Sequence, residues 1–253
     1  MLELDKIHTT DCFSATTQIP DDGVDAVITD PPYPNRMNLF SGSLVDGLAM
    51  LYLACKKAKH CVVFFWNPFD VPPPPAGWHE VARHVWHKPD AKSITHYEVI
   101  VCWSREQKQR VSRVWSIPIL DYRSLHDWKP HPTQKPVKLL RYLLEQYTAE
   151  GETVYDPFIG SGTTAVACQQ MHRHFIGVEI NPEYAAIATS RLKEPAPEPV
   201  PAPATVPDDQ QAPDEITPET SDATSDTTPA QPAPKRAPPK RKAARIAPVA
   251  KAA

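Results

Sequence analysis

Three acidic residues, Asp30, Asp156 and Glu179, each follow a short apolar run patterned like a β-strand. In open parallel sheets the ligand crevice lies outside the carboxyl ends of the strands. Any one of these acids alone reads as an ordinary turn cap; three in the same position point to a shared crevice. Asp30 opens the tetrapeptide Asp30-Pro31-Pro32-Tyr33. An exocyclic amine on adenine or cytosine is a poor nucleophile, because its lone pair is delocalised into the ring. Alkylating it benefits from acceptors that hold its two N–H groups. The Asp30 carboxylate supplies one acceptor and the Pro31 carbonyl a second. The prolines fix the loop, and Tyr33 offers a face on which an unstacked base can lie.

The second cluster is Asp156-Pro157-Phe158-Ile159-Gly160-Ser161-Gly162-Thr163-Thr164, which follows a strand pattern and opens a helix pattern. Its glycines permit a tight turn and close approach of backbone N–H groups to a ligand. Glu179 ends the next strand, 17 residues after Gly162, where a carboxylate can accept hydrogen bonds from ribose hydroxyls. Gly160-x-Gly162-x-x-Ala165 by itself also fits a dinucleotide fingerprint, so the loop alone leaves a nicotinamide cofactor and S-adenosylmethionine both open. The Asp30 tetrapeptide has no part in dinucleotide binding and favours the methyl donor.

With these motifs the chain resembles the DNA amino-methyltransferase family, in the motif order that places Asp-Pro-Pro-Tyr before the cofactor loop. The resemblance covers residues 1 to about 193 and includes His131-Pro132-Thr133-Gln134-Lys135-Pro136 ahead of a helix and Gly177-x-Glu179-x-Asn181-Pro182-Glu183-Tyr184. It implies an α/β, Rossmann-like S-adenosylmethionine-dependent methyltransferase fold, with Asp30, Pro31, Pro32 and Tyr33 catalytic. Phe158 and the loop of Asp156, Gly160, Ser161, Gly162 and Thr163 would lie beside S-adenosyl-L-methionine, with Glu179 on its ribose and Asn181 also in contact with the cofactor. Asp11, after the first strand, would lie near the adenine, and Thr133 and Lys135 would hold the methionine carboxylate. The implied activity is methyl transfer to an amino group of double-stranded DNA. Adenine N6 is favoured over cytosine N4, because cytosine enzymes of the family more often begin the tetrapeptide with Ser. RNA or protein-glutamine methylation usually goes with Asn there. A non-catalytic DNA-binding protein of the same fold is the reading from a different class, and it would be expected to have lost Asp30 or the glycine loop. Homodimers and cognate restriction nucleases occur as partners in the family.

The elements that must position these residues follow from hydrophobic periodicity. Short apolar runs alternate with helical patterns, which predicts a mostly parallel sheet covered by helices on both faces. Strands are expected over residues 24–29, 61–66, 81–87, 97–103, 153–155 and 174–178, with another over 6–10. Helices are expected over 44–57, 137–147, 163–171 and 183–192. The second of these places Val137, Leu140, Leu144 and Tyr147 on one face. Residues 104–130 read as an irregular loop that must serve as a compact target-recognition region. It carries Arg105, Lys108, Arg110, Arg113, Arg123 and Lys129 among Trp115, Tyr122 and Trp128. That mixture suits phosphates and unstacked bases, although a loop with its aromatics turned to the core has the same composition.

The 253-residue chain divides by composition. Residues 1–194 hold every aromatic and all eight glycines, and read as one catalytic domain. Residues 195–253 hold 14 of the 30 prolines and no Phe, Trp, Tyr, Gly or Cys. They cannot bury enough apolar surface to offset the entropy of ordering, so this stretch is expected to be a disordered tail. Residues 194–230 carry nine acids and no Lys or Arg, whereas residues 235–253 carry seven Lys or Arg and no acid. A cationic end of this kind suits non-specific phosphate contact or serves as a plain solvated extension. Five scattered cysteines without a Cys-x-x-Cys pair fit buried thiols in a reducing compartment. Without a signal peptide or a long apolar run, a cytoplasmic protein with no membrane contact is expected. The histidines lack ligand spacing and no metal site is predicted. No Pro-Cys dipeptide is present to supply a covalent nucleophile for ring-carbon methylation.

Overall fold

The computed structural model describes residues 2–32, 47–65, 71–91, 96–118 and 134–193. Eight strands, β1 (Lys6–Thr9), β2 (Ala26–Thr29), β3 (His60–Phe65), β4 (His79–His87), β5 (Tyr97–Ser104), β6 (Val114–Ser116), β7 (Thr153–Asp156) and β8 (His174–Glu179), form one sheet. Five helices accompany them: α1 (Cys12–Thr16), α2 (Gly47–Cys55), α3 (Val137–Tyr147), α4 (Thr163–Gln170) and α5 (Pro182–Arg191). The strand order is β1-β8-β7-β2-β3-β5-β4-β6. Parallel pairing joins β1, β8, β7, β2 and β3, while β5 pairs antiparallel with both β3 and β4. The expected mostly parallel α/β architecture is present.

Strands buried on both faces read as continuous apolar runs, and β2 is such a strand, with Ala26, Val27, Ile28 and Thr29 all buried. Its alternation divides the core. Val27 joins Ala15 of α1, Met50, Leu51 and Ala54 of α2, Cys61, Val63, Trp103 and Tyr155 on one face. Ile28 joins Val62, Phe64, Leu139, Leu140, Leu143 and Leu144 of α3, and Ala165 and Cys168 of α4, on the other. Helix α3 spans the residues expected of it, because its 3.6-residue periodicity is strong and Pro136 sits at its N-cap. All five cysteines are buried and free. Among the described residues no helix is long and apolar enough to cross a membrane.

Two elements depart from expectation. Residues 114–116, inside the stretch read as irregular, form β6 at the sheet edge, parallel to β4. At three residues, with Val114 exposed, it is too short for alternation to announce it. Helix α1 is a five-residue element capped by Asp11, whose Oδ1 accepts the Ser14 N–H at 2.8 Å. The cap signal was present in the sequence, but no apolar periodicity followed it.

Candidate active site

Strand order builds the site. From β2 the chain continues to β3 on one side, while β7 and β8 return on the other, so the connection reverses between β2 and β7. Crevices of doubly wound sheets open at such a switch point. The carboxyl ends of β8, β7 and β2, adjacent in that order, carry Glu179, Asp156 and Asp30 side by side.

Asp156 serves the loop that it starts. It is buried, its Oδ1 accepts the Thr29 hydroxyl at 2.7 Å and the Phe158 N–H at 3.0 Å, and its Oδ2 accepts the Thr164 hydroxyl at 2.7 Å. It thereby ties β2, β7 and α4 together at the crevice. Burial raises its carboxyl to about 6 against these hydrogen bonds, and the nearby Asp30 charge adds to the rise. The loop then turns through Gly160 (φ 52°) and Gly162 (φ 82°), a left-handed region that glycine enters without Cβ strain. Gly162 is also where α4 meets α5: a Cβ built there would lie 2.7 Å from Ala188 Cβ and 2.9 Å from Ala188 Cα.

Glu179 holds the rim of the loop. Its Oε2 accepts the Gly160 N–H at 3.1 Å and its Oε1 accepts the Asn181 N–H at 2.8 Å. Each carboxylate oxygen keeps acceptor capacity beyond these bonds, so the group fits a further pair of hydroxyl donors. Burial pushes its carboxyl above the ordinary value. Asp11 stands at the end of neighbouring β1, and the Thr10 N–H bonds the Glu179 carbonyl at 3.2 Å, which brings the two acids to one rim. Phe158 packs half-buried against the core on the α1 and α2 face.

Other expected residues turn inward. The Ser161 carbonyl and hydroxyl accept from the Arg191 guanidinium at 2.6 and 3.2 Å, and the Thr163 hydroxyl accepts from it at 3.1 Å. Arg191 thus clamps the glycine loop from the end of α5. Its solvated-helix position gave no sequence signal for this. Asn181 caps α5 by accepting the Glu183 N–H at 2.8 Å. Pro31 is buried and Pro32 half-buried behind Asp30. Tyr33 and Thr133 lie outside the described residues, as do Tyr122, Arg123, Trp128 and Lys129 of the recognition stretch.

Lys135, which the resemblance places at a cofactor carboxylate, is buried here with its Nζ 2.5 Å from Asp30 Oδ2. In the described part of residues 104–130, several side chains bond to the domain although most of these residues are exposed. Arg105 pairs with Asp22, Arg110 donates to the Gln146 carbonyl at 2.8 Å, Arg113 donates to Gln146 Oε1 at 3.3 Å, and Trp115 stacks on Tyr142. Among the described residues no three His, Cys, Asp or Glu side chains converge as metal ligands.

A family model described as DNA methylase (N6/N4) matches residues 49–190. The chain is 31% identical over 202 residues to YubD of Escherichia coli (strain K12), a protein with a methylase name, covering 72% of this chain and 87% of that one. It is 33% identical over 117 residues to the type II methyltransferase M2.DpnII of Streptococcus pneumoniae, covering 46% of this chain and 43% of that one. The chain thus spans most of YubD but less than half of M2.DpnII. Among solved structures, an M1.HpyAVI–SAM complex superposes with a TM-score of 0.58 at 22% identity, over 75% of this chain and 99% of that one. The PvuII DNA methyltransferase (cytosine-N4-specific) superposes with a TM-score of 0.56 at 20% identity, over 73% and 85%. At these identities the two structures establish the fold.

Proposed function

Because the chain belongs to the N6/N4 DNA methylase family, we propose that it methylates an exocyclic amino group of double-stranded DNA, adenine N6 in preference to cytosine N4. The observation that carries this reading is the adjacency of the β8, β7 and β2 ends. That adjacency supports the reading, because the three strand ends carry Glu179, the glycine loop after Asp156, and Asp30 with Pro31. Enzymes of this family use S-adenosyl-L-methionine, which supplies an electrophilic sulfonium methyl group. The residues fit it: Glu179 retains acceptor capacity for ribose hydroxyls, Asp11 shares that rim, and Phe158 lines the loop.

Asp30 and the Pro31 carbonyl would hold the amino N–H groups, turning the nitrogen lone pair towards the methyl carbon. Bound beside them, the sulfonium would supply its methyl group to that nitrogen and keep the electron pair of the C–S bond on sulfur. One proton, made acidic by the new positive charge on nitrogen, leaves to solvent. Positioning the two reactants can contribute roughly 7–11 kcal/mol in well-oriented systems, so no covalent intermediate is required. Asp30 in the leading position favours adenine, while the shared donor pair keeps cytosine N4 as the second reading.

Long-read detection of modified bases in DNA from cells expressing the chain, with nucleoside mass spectrometry, tests both. N6-methyladenine in a fixed context is expected. N4-methylcytosine selects the second reading. A protein that binds DNA but leaves no methylated base in it overturns both and favours a non-catalytic role.

A further inference from the structure

Four charged side chains from four separate segments form a row that ends at Asp30. Lys88 follows β4, Glu98 is the second residue of β5, Lys135 precedes α3, and Asp30 follows β2. Because β5 runs against its neighbours, its first residues lie at the same end of the sheet as the last residues of β4 and β2. Lys88 Nζ donates to Glu98 Oε1 at 3.0 Å. Lys135 Nζ lies 3.2 Å from Glu98 Oε2, an ion pair without hydrogen-bond alignment, and donates to Asp30 Oδ2 at 2.5 Å. The side chains of Lys88, Glu98 and Lys135 are 6%, 10% and 9% exposed, against 22% for Asp30, so the catalytic candidate is the open end of the row. The Phe64 and Trp86 rings wall the Lys135 ammonium at 5.3 and 6.0 Å.

Two ammonium and two carboxylate groups balance, yet burying them is expensive, and apolar residues of the same volume often serve stability as well or better. A buried ionic row leading to a reacting carboxylate is therefore better explained by what it does to that carboxylate. Resting on the methyltransferase reading, we propose that Lys135 is a positioning residue that keeps Asp30 ionised and aimed at the base amino group, with Glu98 and Lys88 holding Lys135 in place. An adjacent ammonium lowers a carboxylate's basicity, so Asp30 accepts an N–H without taking its proton. Among the described residues, the charged groups around Asp30 include Lys135 from the segment before α3, Asp156 from β7, and, behind Lys135, Glu98 from β5 and Lys88 after β4. Of these, Lys135 is the group in direct contact whose charge stabilises the anion. Burial works against the Lys135 charge, but Asp30 and Glu98 outweigh it and raise its pKa above the ordinary lysine value. Burial likewise works against the Glu98 anion, and Lys135 and Lys88 hold it below the ordinary value.

The experiment uses the full chain with Lys135→Met, Lys135→Arg and Glu98→Gln. The Asp30 carboxyl is titrated by 13C NMR without cofactor or DNA, assigned against Asp30→Asn, and methyl transfer to duplex DNA is followed against pH. Lys135→Met is expected to raise the Asp30 midpoint by about one unit or more and to move the acid limb of kcat upward by the same amount. It should lower kcat at neutral pH by roughly tenfold or more, with the KM for S-adenosylmethionine within a few-fold. Lys135→Arg should restore most of the rate. Glu98→Gln, which leaves an unbalanced ammonium on Asp30, should move the midpoint in the opposite direction. An active wild-type enzyme whose Lys135→Met form keeps the Asp30 midpoint and acid limb overturns the proposal. So does one that loses S-adenosylmethionine binding with kcat intact, which assigns Lys135 to the cofactor. A wild type inactive on DNA instead overturns the functional reading on which the proposal rests. Should Lys135→Met not fold, the Arg and Gln variants decide by the same two readouts.

Discussion

Two carboxylates one strand apart, Asp30 and Asp156, have opposite environments. Asp30 is paired with an ammonium at the open side of the site, whereas Asp156 is buried among hydroxyls and a backbone N–H. On the proposed reading Asp30 accepts from the reacting amine, so Asp30→Ala should lower methyl transfer by at least roughly 100-fold, about 2.7 kcal/mol. Cofactor affinity should stay within a few-fold. Calorimetry and a tritium-transfer assay measure the two separately, and near-normal transfer would remove Asp30 from catalysis. Asp156 makes a stability prediction. Burial raises its folded pKa to about 6, above the unfolded value, so the folded state holds that proton more tightly. The contribution favours folding at low pH and is lost as pH rises from about 4 through about 6, an effect on the order of 1–3 kcal/mol. Asn carries no such charge; its Oδ1 can accept from Thr29 and Phe158 while its Nδ2 donates to the Thr164 hydroxyl, which reverses its role. The melting temperature of Asp156→Asn minus that of wild type should therefore rise between about pH 4 and about pH 7, and a flat difference would show that Asp156 does not titrate in this window.

At the scale of elements, the glycine loop depends on α5 as much as on its own glycines. Ala188 fills the space against Gly162, and Arg191 ties Ser161 and Thr163 to the helix end. Gly162→Val would force a side chain into α5 at a φ that L residues disfavour by about 1–2 kcal/mol, with overpacking adding about 1–3 kcal/mol. Loss of cofactor binding together with a lowered melting temperature is expected, and even Gly162→Ala should show part of it, because the clash begins at Cβ. Titration calorimetry and thermal melts check this. Normal cofactor binding by the Val variant would mean that the loop tolerates displacement of α5 and does not itself cradle the ligand.

For the whole molecule, composition separates residues 1–194, which hold every aromatic, from residues 195–253, which lie outside the described residues. Cutting the chain after residue 195 is expected to leave the thermal midpoint nearly unchanged, because the removed segment has no aromatic anchor. If the seven Lys and Arg of residues 235–253 touch phosphates, truncation should weaken binding to all duplexes alike. It should also flatten the salt dependence, by about 0.9 in the slope of log K against log salt for each phosphate no longer neutralised. The acid-rich stretch before them should blunt the effect at physiological salt by pairing with the basic end. Titrating one duplex with both forms at several salt concentrations is the measurement. Equal slopes make the tail a passive extension, and a large fall in melting temperature moves the domain boundary.

Whatever obeys local rules was legible in the linear chain. Apolar runs and 3.6-residue periodicity marked seven of the strands and four of the helices, α3 with its ends. Glycine and proline chemistry marked the two motifs at the ends of β2 and β7, because backbone conformation there depends on a few adjacent residues. Strand order, the reversal of β5, the short edge strand β6 and the five-residue helix α1 emerge only on folding, since pairing between distant segments leaves no periodic trace. The partners of functional residues belong to the same class. Arg191 reaches back 30 residues to the glycine loop, and Lys135 meets Asp30 across 105 residues. A lysine in the sequence carries a charge but no address. Its carboxylate partner is chosen by the sheet, which brings β2, β4 and β5 to one edge of the crevice and shuts the charges away from water, where pairing is the alternative to losing them.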